Sequence, residues 1–342
     1  MDKILILGGG GFLGKELSKK IIKKNRVSIF QRKKPKFLDR KIKFKKVDLL
    51  DYHKTIKEIK NFDYVINCAA VLNGQSQKKL FVDNFKIFFF SYIACLKNGI
   101  KNYMFISSNN VCSKSNFIKL KNNKILITDG YTLAKIFSEY VGKKLSNNFK
   151  ILFKIIRPSN LYGHNQKNGA IYYILTQIMI SKSNKLLLKL NKNTKRNFSH
   201  VEDCANCIVK LLKINKDLIC NITNNKKVSL GQISKICLKV LNKNLNIEFN
   251  SSTKKDIKLF KSFNLNKYIV WKDKYDLYSG IKKMKKKYKK QLILIILYYY
   301  IILFIISYLC LEIFCFRESL DLIKFKFPIF SKKLVSKYFH LL

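Results

Sequence analysis

Short apolar runs alternate with longer amphipathic segments through the first half of the chain. Runs of four to six mostly apolar residues predict buried strands, and apolar positions at helical spacing between them predict helices. Strand–helix alternation of this kind predicts an α/β fold with a Rossmann-type, doubly wound parallel sheet. The predicted strands are Ile4–Leu7, Arg26–Phe30, Ile42–Val47, Tyr64–Asn67, Tyr103–Ile106 and Leu152–Ile156, and the helices include Leu13–Lys24, Val82–Lys97 and Tyr131–Leu145.

The rhythm loosens from about Leu161, which predicts a small C-terminal lobe. We expect a first domain over 1–160, and a lobe over 161–280 that is interleaved with it. The lobe's predicted elements are helices at Ile171–Ser181, Cys204–Leu212 and Leu230–Leu241 and strands at Leu186–Leu190 and Ile247–Phe249.

The composition changes abruptly after residue 280. Residues 281–291 form a predicted polybasic linker, with seven lysines in Lys282–Lys290, and Leu292–Leu311 then runs for twenty residues without a charge. A helix of that length spans about 30 Å, the thickness of a bilayer's hydrocarbon core. A membrane helix is therefore predicted over 292–316, followed by a basic tail over 317–342.

The lysines that flank this segment predict its orientation. By the positive-inside rule they place the catalytic domain in the cytoplasm, anchored to the membrane at its C-terminal end. The tail is basic too, and Tyr298–Tyr300 lie near the centre of the apolar run. A helix that lies at the membrane interface therefore stays open beside one that spans it.

The net charge and the cysteines add no nucleic-acid partner and no metal site to these predictions. The net charge is +49, but the lysines are spread over the whole chain among many asparagines and isoleucines, a mixture typical of an AT-rich genome. We therefore expect no nucleic-acid partner. Cys204-x-x-Cys207 has no second cysteine pair after it, which favours core packing over a metal site.

A glycine pattern follows the first predicted strand and opens the first helix. In Gly8-x-x-Gly11-x-x-Gly14, glycine allows a tight turn and lets the backbone approach a pyrophosphate at the helix N-terminus. The second strand ends with Gln31, not with the carboxylate that usually binds the adenosine ribose of NAD, and Arg32 could pair with a 2′-phosphate. The cofactor is thus NAD or NADP, with NADP favoured by Arg32; Asp48 suits a contact with adenine.

The pair Tyr131-x-x-x-Lys135 carries the predicted chemistry, together with Ser108 at the end of an earlier strand. Tyr131 and Lys135 share one helix face. A phenol has a pKa of about 10, so a neighbouring ammonium and a positive nicotinamide are expected to lower it. Ser108 would hold a substrate oxygen while Tyr131 exchanges its proton and hydride moves to or from the nicotinamide.

The order of the motifs resembles the extended short-chain dehydrogenase/reductase superfamily, and within it the NAD(P)-dependent epimerase/dehydratase branch, which acts largely on nucleotide sugars. The resemblance covers about residues 1–275. Its motifs are Gly8–Gly14, Asp48-Leu49, Cys68-Ala69-Ala70, Asn84, Ser107-Ser108, Tyr131 with Lys135, Arg157-Pro158-x-Asn160-x-Tyr162-Gly163 and Arg196-Asn197-Phe198-x-His200-Val201-x-Asp203.

This resemblance implies that the domain over 1–160 binds the dinucleotide and carries the catalytic residues, and that the lobe over 161–280 is the substrate-binding lobe. It also implies a homodimer through helices of the catalytic domain. Ser108, Tyr131 and Lys135 would be catalytic, and Ser108, Asn160 and Arg196 would bind a nucleotide-sugar-like substrate, with the last two on its diphosphate. The predicted cofactor-binding residues are Gly8, Gly11, Phe12, Leu13, Gly14, Arg32, Asp48, Leu49, Ala69, Ala70, Tyr131 and Lys135.

The sequence also departs from the family pattern. Where dehydratases carry acids after the catalytic serine or threonine, this chain has Asn109 and Asn110, and amides cannot exchange protons in an elimination. His164 and His200 are expected to support loops. The favoured function is a nucleotide-sugar 4-epimerase or 4-ketoreductase. The alternatives are a membrane-bound hydroxysteroid or sterol dehydrogenase of the same superfamily and a non-catalytic dinucleotide-binding or RNA-associated scaffold.

Overall fold

The computed structural model describes residues 1–36, 38–72, 74–112, 118–121, 124–224, 226–250, 265–286 and 288. Its strands are β1 (Lys3–Leu7), β2 (Arg26–Gln31), β3 (Lys43–Lys46), β4 (Tyr64–Asn67), β5 (Asn102–Ile106), β6 (Ile118–Lys121), β7 (Lys124–Ile127), β8 (Leu152–Pro158), β9 (Asn160–Tyr162), β10 (Lys185–Leu188), β11 (Lys195–Arg196), β12 (Phe198–His200), β13 (Leu218–Ile222), β14 (Val228–Ser229) and β15 (Asn246–Phe249). Its helices are α1 (Phe12–Ile21), α2 (Tyr52–Glu58), α3 (Gln77–Lys97), α4 (Gly130–Phe149), α5 (Ala170–Ile180), α6 (Val201–Leu212) and α7 (Leu230–Leu241).

A seven-stranded sheet in the order β13-β8-β5-β4-β1-β2-β3 organises the molecule, and every neighbouring pair in it is parallel. The chain moves outward from β1 to β3, then returns to place β4 on the other side of β1. Such a reversal leaves a crevice beyond the carboxyl ends of the two central strands. The predicted doubly wound α/β sheet is confirmed.

Apart from the largely exposed edge strand β3, the strands of this sheet are buried on both faces, which is why they consist mainly of apolar residues. Ile4 and Ile6 face one side, where they join a core with α1 and α6. Leu5 and Leu7 face the other side, where they join the aromatic side chains of α3. The alternation follows from the two-residue period of a strand.

The second half of the chain returns to this sheet. β13 pairs with β8 at the sheet edge, while short strand pairs and the contacts between α5 and α7 lie outside it. The predictions did not include β13 or α2. Residues 281–286, the start of the predicted polybasic linker, are helical, because Ile281 and Met284 are spaced three apart and both are buried.

The predicted membrane helix over 292–316 lies outside the described residues. Among the residues that the structure describes, no helix has both the length and the apolar composition needed to cross a bilayer.

A buried lysine stands within the central strand β8. The Lys154 ammonium donates hydrogen bonds to the carbonyl oxygens of Leu212 at 2.9 Å and Leu211 at 3.4 Å. These carbonyls belong to the last turn of α6, where a helix lacks internal donors and favours a cation. Burial lowers the pKa of Lys154 to about 8.

Lys154 should make stability depend on pH. Between a pKa of about 8 and its ordinary value of 10.5, Lys154 binds fewer protons in the folded protein than in the unfolded chain, so the free energy of unfolding should rise with pH across this interval. Lys154→Met should remove that part of the rise in urea-unfolding measurements. Lys182→Met, at an exposed lysine, is the control. Parallel pH profiles for the wild type and Lys154→Met would contradict the prediction.

Candidate active site

The glycine turn lies at the mouth of the crevice, between β1 and α1. Gly8 has a positive φ of 70°, and a Cβ there would lie 2.8 Å from the Cα of Ala69. A Cβ on Gly14 would collide with the carbonyl oxygen of Gly8. Gly11 is the N-cap residue of α1 and has no side chain to cap the helix, so the first N–H groups of the helix can receive an anion.

A cavity of about 210 Å³ opens beside this turn. The predicted cofactor residues that line it are Gly8, Gly11, Arg32, Asp48, Leu49, Ala69 and Ala70. Phe12, Leu13, Gly14, Tyr131 and Lys135 are not among its lining residues, and Leu13 packs in the apolar core. A glycine cradle, an uncapped helix N-terminus and a cavity that share one edge fit a dinucleotide.

Gln31 has a role that sequence reasoning missed. Its side-chain oxygen accepts a hydrogen bond from the backbone N–H of Gly10 at 2.7 Å, and its amide nitrogen donates to the carbonyl of Lys33 at 2.5 Å. The amide therefore braces the glycine turn from the end of β2. Arg32, beside it, is exposed and lines the cavity, as a contact to a 2′-phosphate would require.

Lys135 is buried beneath Tyr131 on α4. Its ammonium donates a hydrogen bond to the carbonyl of Ile106, the last residue of β5, at 2.7 Å. It lies 5.6 Å from the centroid of the Tyr131 ring. Burial lowers the pKa of Lys135 to about 8, against the opposing effect of Cys68 and Glu139.

The described side chains around Tyr131 do not by themselves make it acidic, and the lower pKa expected from the sequence depends on the ammonium together with a positive nicotinamide. Burial raises the pKa of Tyr131 to about 12, and the carboxylate of Asp129 acts in the same direction. Desolvation of the phenolate is the larger of these two effects. A positive charge next to the ring would oppose both of them.

The two serines that follow β5 have different surroundings. Ser108 is half-buried, and its hydroxyl accepts a hydrogen bond from the backbone N–H of Asn110 at 3.2 Å. Ser107 is buried and donates its hydroxyl to Glu139 at 2.5 Å. Of the pair, Ser108 is therefore the one whose hydroxyl is available to a substrate.

A partly buried ion pair behind the serines was also not predicted from the sequence. Glu139 accepts from the guanidinium of Arg157 in a two-pronged arrangement, with Nε at 2.9 Å from Oε1 and Nη2 on Oε2. Arg157 also donates to Cys112 Sγ at 3.5 Å. The available signal was the spacing, because Glu139 follows Lys135 by four residues and so lies on the same helix face.

Asn160 and Arg196, the predicted substrate residues, lie on adjacent segments. β9 pairs with β12, and the side chain of Asn160 donates to the carbonyl of Asn197 at 3.1 Å. The Nε of Arg196 is buried without a hydrogen-bond partner among the described residues, and burial lowers the pKa of Arg196. A buried guanidinium nitrogen of this kind suits an anionic ligand.

The histidines take supporting positions, as expected. His164 lies between Glu16 and Glu202, with one ring nitrogen 3.2 Å from each carboxylate. These three residues could be read as a metal site. However, the two nitrogens face different carboxylates, and the ammonium of Lys283 lies 2.6 Å from Glu202, so the arrangement is an ion network.

His200 is the N-cap residue of α6, and its Nδ1 accepts a hydrogen bond from the backbone N–H of Glu202 at 3.4 Å. Burial lowers the pKa of His200 to about 4, which keeps it neutral. Cys204 and Cys207 are both fully buried in the core, as their lack of a second pair predicted.

Comparisons with known proteins agree with this geometry. Among curated relatives, GDP-mannose 3,5-epimerase of Arabidopsis thaliana is 24% identical over 271 residues, which cover 72% of this chain and 71% of that protein. A protein described as a putative UDP-glucose 4-epimerase of Methanocaldococcus jannaschii is 25% identical over 300 residues, covering 82% of this chain and 96% of that one.

Solved structures share the fold. UDP-N-acetylglucosamine 4-epimerase from Methanobrevibacter ruminantium M1, in complex with UDP-N-acetylmuramic acid, superposes with a TM-score of 0.74 at 21% identity, covering 85% of this chain and 99% of that one. UDP-glucose 4-epimerase of Thermus thermophilus, in complex with NAD, gives a TM-score of 0.70 at 15% identity, with 84% and 99% covered.

The family described as the NAD dependent epimerase/dehydratase family matches residues 4–223, most of the chain. This match confirms the predicted superfamily and the predicted nicotinamide dinucleotide. The chain therefore belongs to the NAD dependent epimerase/dehydratase family and is an enzyme of the extended short-chain dehydrogenase/reductase superfamily.

Proposed function

We propose that this enzyme is a nucleotide-sugar 4-epimerase in which Ser108, Tyr131 and Lys135 act on the sugar. The observation that carries the proposal is the hydrogen bond from Lys135 to the carbonyl of Ile106, 2.7 Å long. It joins the helix of Tyr131 to the strand end that leads into Ser108. That strand, β5, neighbours β4, which leads into Cys68, Ala69 and Ala70 of the cofactor cavity.

In the proposed reaction Ser108 orients the sugar hydroxyl and Tyr131 removes its proton. The nicotinamide dinucleotide supplies a positively charged hydride acceptor when it is bound. Lys135 and that charge together stabilise the phenolate, which burial alone disfavours. In the second half of the reaction Tyr131 would return the proton while the hydride returned to the opposite face of the same carbon, so epimerisation would have no net consumption of cofactor.

Arg196 and Asn160 support the choice of a nucleotide sugar. The buried, unpartnered Nε of Arg196 would meet a diphosphate oxygen, and Asn160 is held nearby through its hydrogen bond to Asn197, the residue that follows Arg196. Asn109 and Asn110 weigh against sugar dehydration, because neither side chain can act as an acid. A sterol substrate would leave the Arg196 guanidinium without an anion.

A 4-ketoreductase is the second candidate, and Gln31 with Arg32 favours it. This position has a neutral amide and a cation at the end of β2, in contrast to the carboxylate that selects NAD. Such a site would accept the 2′-phosphate of NADPH, the usual donor in a net reduction.

Two structural features bear on partners. Phe137 and Tyr140 on α4 are 44% and 65% exposed, and α4 packs along α3. We propose a homodimer that covers these rings, because large apolar groups on one helix face are typical of an interface. Membrane attachment through 292–316 stays a proposal from the sequence.

The glycine turn is tested by Gly8→Ala. Its Cβ would collide with Ala69 at a positive φ, so NADH affinity should fall at least about tenfold, equivalent to about 1.4 kcal/mol. Gly99→Ala is the matched control, since Gly99 has a φ of 67° but no heavy atom within 4 Å of the position that a Cβ would take. Both variants should lose about 1–2 kcal/mol of stability through backbone strain. Equal NADH affinities, by fluorescence titration, would contradict the assignment.

Arg32→Ala tests the adenosine end of the cofactor cavity. If Arg32 meets the 2′-phosphate, NADPH binding should weaken about tenfold or more, because a charge-assisted hydrogen bond is lost, while NADH binding should change little. Lys33→Ala, at the exposed neighbour, controls for the loss of one positive charge. A similar loss for both cofactors would exclude Arg32 as the residue that distinguishes them.

Tyr131→Phe tests the proposed function directly. Wild-type protein incubated with NAD⁺ should interconvert at least one of UDP-glucose, UDP-N-acetylglucosamine, UDP-glucuronic acid or GDP-mannose, measured by chromatography of the sugars. Tyr131→Phe should lower kcat by about 100-fold or more, because proton transfer is lost. Tyr278→Phe, at an exposed tyrosine outside α4, should leave kcat unchanged. A wild type that binds NAD⁺ yet converts none of these sugars, with or without NADPH, would overturn the proposal.

A further inference from the structure

We propose that Glu139 is a positioning residue: clamped by Arg157, its carboxylate holds the Ser107–Ser108 segment against α4, so that Ser108 and Tyr131 address the same substrate oxygen. The inference deepens the proposed function and rests on it. Glu139 itself is buried behind the serines, so it acts through Ser107 and not on the substrate.

Two side chains of α4 contact consecutive residues at the end of β5. Lys135 donates to the carbonyl of Ile106 at 2.7 Å, and Glu139, one turn further along, accepts from the hydroxyl of Ser107 at 2.5 Å. One such contact would leave the strand end free to pivot about it. Two contacts a helical turn apart fix both the position and the direction of the chain as it enters Ser108.

Arg157 fixes the other side of Glu139. It comes from β8, the strand next to β5, and its Nε lies 2.9 Å from Glu139 Oε1. Its Nη1 donates to Cys112 Sγ at 3.5 Å, within the short 3₁₀ turn Asn109–Cys112 that follows Ser108. The chain is thus held before Ser108 by the contact of Ser107 with Glu139, and after it by the contact of Cys112 with Arg157.

An ion pair is a poor choice if stability alone is required. Burying two charges costs desolvation energy, and apolar side chains of similar volume often stabilise a protein as well or better. A forked guanidinium on a carboxylate does, however, define distance and angle closely. We therefore expect the main contribution of this ion pair to be the precise placement of the chain around Ser108, and not stability.

The charge of Glu139 has a second effect on the same helix. Lys135 faces Tyr131, Cys68 and Glu139, and the negative charge of Glu139 opposes the lowering of the Lys135 pKa by burial. Without it, and with Arg157 left unpaired, Lys135 should lose its proton at lower pH. Because the ammonium stabilises the phenolate of Tyr131, the decline of activity in alkaline solution should then begin at a lower pH.

The test uses full-length Glu139→Gln, with Glu248→Gln as the matched control at an exposed glutamate on β15. On the sugar nucleotide that the wild type converts, Glu139→Gln should lower kcat by about 100-fold, the cost of a misplacement of about 1 Å, with little change in KM or in NADH affinity. The alkaline limb of the pH–activity profile of Glu139→Gln should move to lower pH. Glu139→Asp, which keeps the charge on a shorter stem, should restore the alkaline limb but not kcat.

A second measurement separates positioning from folding and does not need turnover. Hydrogen exchange of the backbone amides in 107–112 should accelerate in Glu139→Gln, while amides of the glycine turn should keep their protection. An unchanged kcat, or a loss of kcat that accompanies an equal loss of NADH affinity, would overturn the inference. If the wild type converts no sugar, the proposed function fails, and unchanged exchange in 107–112 would then overturn the positioning role separately.

Discussion

The reversal of strand order between β1 and β4 is the constraint on which the rest of the molecule depends. It leaves two parallel strand ends side by side with no connection passing over them, and the glycine turn and the Cys68–Ala70 segment fill the two edges of that gap. Because β5 follows β4 in the sheet, Ser108 emerges one strand further along the same edge. The order of the strands thus places cofactor cavity and predicted catalytic serine together before any side chain is considered.

Burial then sets the chemistry at this edge. It raises the pKa of Tyr131 to about 12 and lowers that of Lys135 to about 8, so the apolar surroundings oppose charge on both members of the pair. In the proposed reaction, the positive charge of a bound oxidised cofactor would offset the cost of burying the phenolate. Proton transfer by Tyr131 would then be coupled to the presence of that cofactor.

Much of this could be predicted from the sequence, and the failures have physical causes. The strands from β1 to β5, together with β8, and the helices α1, α3 and α4 follow from local apolar periodicity, as does the glycine turn. β13 was not predicted because its strand conformation depends on pairing with β8, a contact between segments more than fifty residues apart in the chain. The roles of Glu139 and Gln31 were not predicted because carboxylates and amides usually lie on the surface. Only the structure identifies their partners, Arg157 and Gly10.

The amide of Gln31 has one more consequence, which concerns the entropy of binding. By joining Gly10 to Lys33 it holds the turn in shape through an uncharged tether, so neither protonation nor ionic strength should loosen it. A loop that is already ordered surrenders little conformational freedom when a dinucleotide arrives. The glycine turn should therefore receive the cofactor with little rearrangement of its own backbone.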